Sequence, residues 1–326
     1  MINRSATDPS RAAPARAASG PYTATRGRWR VLLTLVVGAV LASGCVMLET
    51  KERELTWRPV RSVATWFGGL PQHVQEFKLP LGDDPLAPRM RAWWWPGTAA
   101  DAPALLYLHG ARWNLTGQFR RIEQLHDFGF SVLAIDYRGF GESDGELPSE
   151  ATVYEDAQAA WKWLARKQPD AHRRYIYGHS LGGAVAVDLA SRVAAEGTGG
   201  GGLIVESSFT SLADVAAAMS YEWLPMGLIL SQKFDSVSKM SQVRMPVLIV
   251  HGANDTYVPS RLSETLFAAA PAPKKLVVVQ GASHNNSMWV GDAEYRGALS
   301  ELFGLDLHAA SVTHPSAKLP SVRRGG

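Results

Sequence analysis

Residues 174–183 read Arg174-Tyr175-Ile176-Tyr177-Gly178-His179-Ser180-Leu181-Gly182-Gly183. An apolar run, a Gly-x-Ser-x-Gly turn and a stretch of small residues follow one another without a break. Strand, sharp turn and helix are the context in which this pentapeptide forms a nucleophile elbow. The turn forces the serine into a strained backbone conformation and exposes its hydroxyl. Gly178 and Gly182 lack the β-carbons that would collide where strand and helix pack closely. A helix starting at Leu181 points its positive end at the serine, where a developing oxyanion would be stabilised.

Around this element the same rhythm recurs. Apolar strand patterns fall at Val74–Leu79, Met90–Trp95, Ala104–Leu108, Ser131–Ile135, Arg174–Tyr177, Leu203–Val205, Val247–Val250 and Leu276–Val279. Helical patterns fall between them, near Thr116–Asp127, Ser149–Arg166, Leu181–Ala195, Ser260–Ala269 and Ala293–Phe303. Strand and helix in alternation predict parallel βαβ units in a single sheet. The later strands are continuous apolar runs, as strands covered on both faces should be. Residues 212–243 break the rhythm and carry the apolar stretch Trp223–Leu230, which reads as a small helical lid. Five glycines lie within Gly197–Gly202, but no Gly-Lys-Ser/Thr follows, so this is a connector rather than a phosphate loop.

A serine hydroxyl at neutral pH needs a base, and the base needs an orienting acid. With an elbow, the partners follow in the order serine, acid, histidine. The run Val247–Val250 leads into His251-Gly252-Ala253-Asn254-Asp255, and Leu276–Val279 leads into Gln280-Gly281-Ala282-Ser283-His284. Both candidates lie just past the carboxyl end of a strand, where open parallel sheets gather their sites. Asp255 is therefore the expected acid and His284 the expected base, with Glu206 at the end of Leu203–Val205 the rival acid. The expected oxyanion donors are the backbone N–H groups of Leu181 and of Ala111, which follows Leu108-His109-Gly110. Arg112 and Trp113 come next and would line the pocket mouth. His179 is a further candidate for the pocket, although its place inside the elbow motif favours a structural role, as for His109 and His251.

The chain has 326 residues, 46% of them hydrophobic and 19% charged, enough for a substantial core. Its formal charge of +3 is set by the first 44 residues, which hold six arginines and one acid. The remainder has 27 bases and 29 acids, and so no nucleic-acid footprint. Arg26, Arg28 and Arg30 precede the apolar stretch Val31–Ser43, and Leu41-Ala42-Ser43-Gly44-Cys45 ends it. This order fits an export signal and resembles a bacterial lipobox, with Cys45 as the lipidated residue. The alternative extends the apolar stretch to Leu48, the lower limit of a membrane-spanning anchor. Either would tether the protein to a membrane, outside the cytoplasm. A single cysteine excludes intrachain disulfides. The expected organisation is a leader at 1–44, a tether and linker at 45–72 in which Trp57 and Trp66 could pack on the body, and a main domain at 73–304. Residues 305–326 are expected to form a disordered tail.

Taken together, His109-Gly110, Asp136-Tyr137-Arg138-Gly139-Phe140-Gly141-Glu142-Ser143, the Gly178–Gly183 elbow, Glu206-Ser207-Ser208-Phe209-Thr210-Ser211, Asp255 and His284 resemble the α/β-hydrolases. The similarity is to the small-lid, membrane-associated group that includes protein-depalmitoylating serine hydrolases, and it covers about Val74–Phe303. It implies an α/β-hydrolase fold with a mostly parallel eight-stranded sheet, helices on both faces and a small lid. It also implies an ester- or thioester-cleaving serine hydrolase acting on a small or acylated substrate. Asp136 and Arg138 would then brace a structural loop. Arg112-Trp113 departs from the small or amide residues frequent after His-Gly, a departure that bears on pocket shape and substrate class. No spacing of His, Cys or acids calls for a metal, and the chemistry needs no cofactor. Three other readings remain open: a peptidase on the same scaffold, an acyltransferase using the same acyl-enzyme, and a non-catalytic, membrane-tethered binding protein.

Overall fold

The computed structural model describes residues 22–221 and 223–305. The chain divides into two units, Met1–Leu48 and Glu49–Gly326. The described part of the first belongs to helix α1 (Tyr22–Trp57), which runs through Cys45 and on into the second unit. Among the described residues, no helix is long and apolar enough to cross a membrane. The expected tail lies almost wholly outside the described residues, as does most of the leader before the apolar stretch.

The second unit is built on one eight-stranded sheet. Its strands are β1 (Gln75–Pro80), β2 (Arg89–Trp95), β3 (Ala104–Leu108), β4 (Ser131–Ile135), β5 (Arg174–His179), β6 (Gly202–Glu206), β7 (Val247–Gly252) and β8 (Lys274–Val279). Their order across the sheet is 1-2-4-3-5-6-7-8. The β1–β2 and β2–β4 pairs are antiparallel, and all later pairs are parallel. Helices α2 (Leu115–Asp127), α3 (Glu150–Lys167), α4 (Leu181–Ala195), α8 (Ser260–Ala269) and α10 (Asp292–Phe303) connect or close the strands.

Alternate residues of each strand enter opposite cores, as a period of two requires. Leu106, Leu108, Leu133, Ile135, Ile176, Leu203, Val205 and Ile249 pack with α3, α4 and α8. Leu105, Tyr107, Val132, Ala134, Tyr175, Tyr177, Ile204, Leu248 and Val250 pack with α2 and α10. The helices begin where capping chemistry allows. Asn114 accepts the Thr116 amide at the start of α2, and Ser149 and Thr152 cap the start of α3 reciprocally.

The strand order positions the site. After β3 the chain passes through α2 to β4 on one side. After β4 it crosses back through α3, on the opposite face, and lays β5 against the other edge of β3. Strands β3 and β5 are therefore neighbours whose following helices cover different faces, and the crevice at their carboxyl ends is open.

The region 212–243 forms three short helices, α5 (Leu212–Ala216), α6 (Met226–Ile229) and α7 (Ser236–Met240), with a wide helical turn at Ala217–Tyr221. Trp223 and Leu228 are largely exposed, and Met219, Tyr221 and Ile229 are also exposed. A further short helix, α9 (Ser287–Val290), follows His284.

Candidate active site

Ser180 terminates β5 and caps α4 with φ +56° and ψ −122°, a conformation that costs a non-glycine residue on the order of 1–3 kcal/mol. Packing enforces it. A β-carbon on Gly178 would collide with the Gly182 carbonyl, and one on Gly182 with the carbonyls of Leu108 and His109. Only glycine lets α4 approach the ends of β5 and β3 this closely. The Ser180 amide donates to the Glu206 carbonyl (2.9 Å), and the Ser208 hydroxyl donates to the Ser180 carbonyl (2.9 Å). The end of β6 thereby fixes the turn.

Three side chains from three strand ends meet at this turn. His284 Nε2 lies 3.0 Å from Ser180 Oγ, and His284 Nδ1 lies 2.7 Å from Asp255 Oδ2. An Nδ1–H donated to the carboxylate leaves Nε2 as the acceptor for the serine hydroxyl. Asp255 accepts two further amides at Oδ1, from Tyr257 and Val258, both at 2.9 Å. Burial alone would raise its pKa. The hydrogen bonds from His251 and His284, the nearby histidine charge and the Val258 amide outweigh this and hold it well below the ordinary carboxylate range.

His251, read from the sequence as structural, is part of this arrangement. Its Nε2–H is shared between the Val258 carbonyl (2.8 Å) and Asp255 Oδ2 (3.1 Å), while Nδ1 accepts from the Ser263 hydroxyl (2.7 Å). Glu206, the rival acid, is engaged elsewhere. It is fully buried and bonded to Arg121 Nη1 (2.5 Å) and to the Tyr177 hydroxyl (2.8 Å). Arg121 Nη2 also donates to the Asn285 carbonyl (3.0 Å), one residue beyond His284. No local pattern in α2 marks Arg121 for this role.

Leu181 follows the serine as the first residue of α4, and Ala111 stands three residues past the end of β3. Among the described residues, no protein acceptor takes either backbone N–H. Gly110 sits tightly beneath, where a β-carbon would lie 3.2 Å from Ser180 Cβ. Arg112 and Trp113 are exposed, with Arg112 held at φ +77°. His179 is buried, and its Nε2–H donates to the His284 carbonyl (2.8 Å), so it supports the histidine loop from below rather than lining an open pocket. Burial, together with the charges of Arg121 and His284, keeps its pKa well below the usual histidine value. Asp136 and Arg138 brace the loop after β4. Asp136 accepts the Leu115 amide (2.8 Å), and Arg138 binds Asp156 (2.6 Å). Among the described residues, no group of three or more His, Cys, Asp or Glu is gathered as a metal ion would require.

Comparison with known proteins agrees with this architecture. The profile of the serine aminopeptidase S33 family, a hydrolase family, matches residues 100–233. An uncharacterized protein of Mycobacterium tuberculosis is 36% identical over 267 residues, spanning 79% of this chain and 90% of its own length. The lysophosphatidylserine lipase ABHD12 of Danio rerio is 33% identical over 198 residues, 56% of this chain and about half (51%) of the lipase. Among solved structures, an α/β hydrolase from Vibrio vulnificus has a TM-score of 0.62 at 21% identity, over 78% of this chain and 93% of that one. The Pyrococcus furiosus esterase Pf2001 has a TM-score of 0.57 at 21% identity, over 74% and 96%. With its sheet order and its elbow the chain has the α/β-hydrolase fold, and at 36% identity over most of both lengths it belongs to one family with the Mycobacterium tuberculosis protein.

Proposed function

We propose that this protein is a serine hydrolase that cleaves carboxylic ester or thioester bonds through an acyl-enzyme on Ser180. The observation that carries this reading is the hydrogen-bond chain Asp255–His284–Ser180, at 2.7 and 3.0 Å, ending on a strained and accessible serine. His284 takes the hydroxyl proton as Ser180 Oγ attacks the substrate carbonyl. The tetrahedral oxyanion lies against the Leu181 and Ala111 amides. His284 then delivers the proton to the departing alcohol or thiol, and the carbonyl re-forms as an acyl-serine. Water, deprotonated by His284, repeats the addition and releases the acid and the free serine. The serine also argues against dehalogenase or epoxide-opening chemistry, which uses an aspartate at the same turn.

The esterase and lipase names among the relatives favour an ester. The exposed apolar residues Trp223, Leu228 and Ile229 favour an acyl chain of some length. The similarity to the serine aminopeptidase family keeps a peptidase in view. One assay series separates these readings: acyl esters, thioesters and aminoacyl amides of increasing chain length, with Ser180→Ala as the blank. Ser180→Ala is expected to lose turnover and fluorophosphonate labelling while keeping its melting temperature. Turnover surviving in that variant would sink the assignment, and a preference for amides would give the peptidase reading.

We further infer that Cys45 carries a lipid anchor outside the cytoplasm, on the strength of the arginines, apolar stretch and small residues before it. Cys45→Ser is expected to abolish incorporation of labelled palmitate and to leave an unprocessed chain. Undiminished labelling would refute this, and a processed but unlabelled parent would too.

A further inference from the structure

The segment between the anchor region and β1 touches more of the site than a linker would. Trp57, the last residue of α1, is fully buried, with its ring edge-on to Tyr137, Phe140 and Phe234 at centroid distances of 5.8–6.0 Å. Tyr137 and Phe140 in turn pack on the ring of His109, at 4.5 and 4.7 Å. His109 leads directly into Gly110 and Ala111.

The backbone contacts are closer still. The Arg112 amide donates to the Trp57 carbonyl (2.8 Å), and the Val60 amide donates to the Arg112 carbonyl (2.8 Å). The two bonds grip Arg112 on both sides, and Arg112 is a non-glycine residue at φ +77°. Further along, the Asn114 side-chain amide donates to the Val60 and Ser62 carbonyls (3.1 and 2.8 Å), and the Ala64 amide donates to Thr116 Oγ1 (2.9 Å). At its other end, Glu52 accepts the Ser231 and Gln232 amides, both at 2.7 Å, within the lid region between α6 and α7.

A left-handed arginine costs about 1–2 kcal/mol and persists only where its surroundings hold it. Helix α2 anchors the chain downstream of Arg112. Relaxation to negative φ would therefore be taken up upstream, turning the peptide units that carry the Ala111 N–H. An oxyanion donor is useful only when aimed in advance at the place where charge develops.

We propose that Trp57 and Val60 are positioning residues of the oxyanion hole: the end of the anchor helix clamps Arg112 in its left-handed conformation and so aims the Ala111 amide. This rests on the serine-hydrolase reading above. The docked segment is then part of the catalytic scaffold, and a chain trimmed to begin at β1 lacks it.

The test uses the full chain. Trp57→Ala is expected to lower kcat about tenfold to a hundredfold, because a misaimed donor forfeits much of what a well-placed one supplies. KM should stay within about twofold, and fluorophosphonate labelling should slow in parallel. Trp57→Phe is expected to recover most of kcat, since the indole Nε1–H is buried without an acceptor and no bond is lost with it. Val60→Pro removes the N–H given to Arg112 while sparing the Trp57 packing, so it decides the matter if Trp57→Ala does not fold. Glycine at position 112 pays little for positive φ. The kcat loss from Trp57→Ala or Val60→Pro should therefore be several-fold smaller in an Arg112→Gly background. Wild-type kcat in the folded variants overturns the positioning role, as does a loss that appears wholly in KM or is undiminished beside Arg112→Gly. Activity persisting in Ser180→Ala overturns the serine reading itself, whatever Trp57 does.

Discussion

Two buried carboxylates lie within reach of the serine turn, and their partners differ. Asp255 accepts from two histidines and two amides, and one of those histidines bonds the serine. Glu206 is tied to Arg121 and to Tyr177. Asp255→Asn places an N–H where His284 Nδ1–H needs an acceptor. The imidazole is then driven to the wrong tautomer, and kcat is expected to fall by about three to four orders of magnitude with little change in fold. Glu206→Gln is expected to hold kcat within about tenfold but to cost about 3–5 kcal/mol, because Arg121 stays buried without its carboxylate. Measuring kcat and urea unfolding of both variants checks this, and the reverse pattern would make Glu206 the acid. Asp255 and His284 were legible because each follows an apolar run at a strand end. Arg121 was not, since an arginine within an amphipathic helix looks the same whether it meets water or a buried glutamate.

At the scale of elements, strands β3 and β4 and helices α4 and α8 have the very bounds their sequence patterns predict. Their signals are strong because burial on both faces, or along one helical stripe, is written into consecutive residues. The close glycine packing at Gly178 and Gly182 is also as the elbow requires. β8 begins two residues before its apolar run, at Lys274 and Lys275, because an edge strand tolerates charge. The lid helices α5, α6 and α7 are four or five residues long, too short for a 3.6-residue period to be read. The stretch after Leu48 has the mixed composition of a linker, yet it stays helical to Trp57. Its helicity is secured by tertiary contacts, namely Trp57 in the core, Glu52 on two amides and Arg53 on the Leu147 and Pro148 carbonyls.

For the whole molecule, two buried groups beneath the β3 and β4 ends shape the pH dependence of stability. Burial pushes Asp136 up to about 7, against the opposing Leu115 amide. Burial likewise pushes His109 down to about 4, against its bond to the Gly110 carbonyl. From about pH 4 to 6.5, folded Asp136 keeps a proton that the unfolded chain releases, so its contribution falls as pH rises. Over the same window the unfolded chain protonates His109 while the folded chain does not, so that contribution grows as pH rises. The two slopes oppose each other. Asp136→Asn keeps an acceptor for the Leu115 amide and removes the first slope, while His109, whose Nε2 lies 3.7 Å from Asp136 Oδ1, stays buried. Relative to the parent, the variant should then gain stability with rising pH, by at most about 1.4 kcal/mol per unit. Denaturant unfolding at pH 4.5 and 6.5 measures this, and parallel profiles for parent and variant would refute it. By itself, the sequence determined the alternation of strands and helices, the strained serine turn and the residues standing at strand ends. These are local: each depends on side-chain periodicity or on the missing β-carbons of nearby glycines. The tertiary structure alone decided that β3 lies between β4 and β5, that His284 reaches Asp255, that Arg121 binds Glu206, and that Trp57 closes over the Ala111 loop. Those pairings join residues 29 to 85 positions apart or bridge separate elements. Such distances are set by the crossovers and by core packing, which no window of consecutive residues contains.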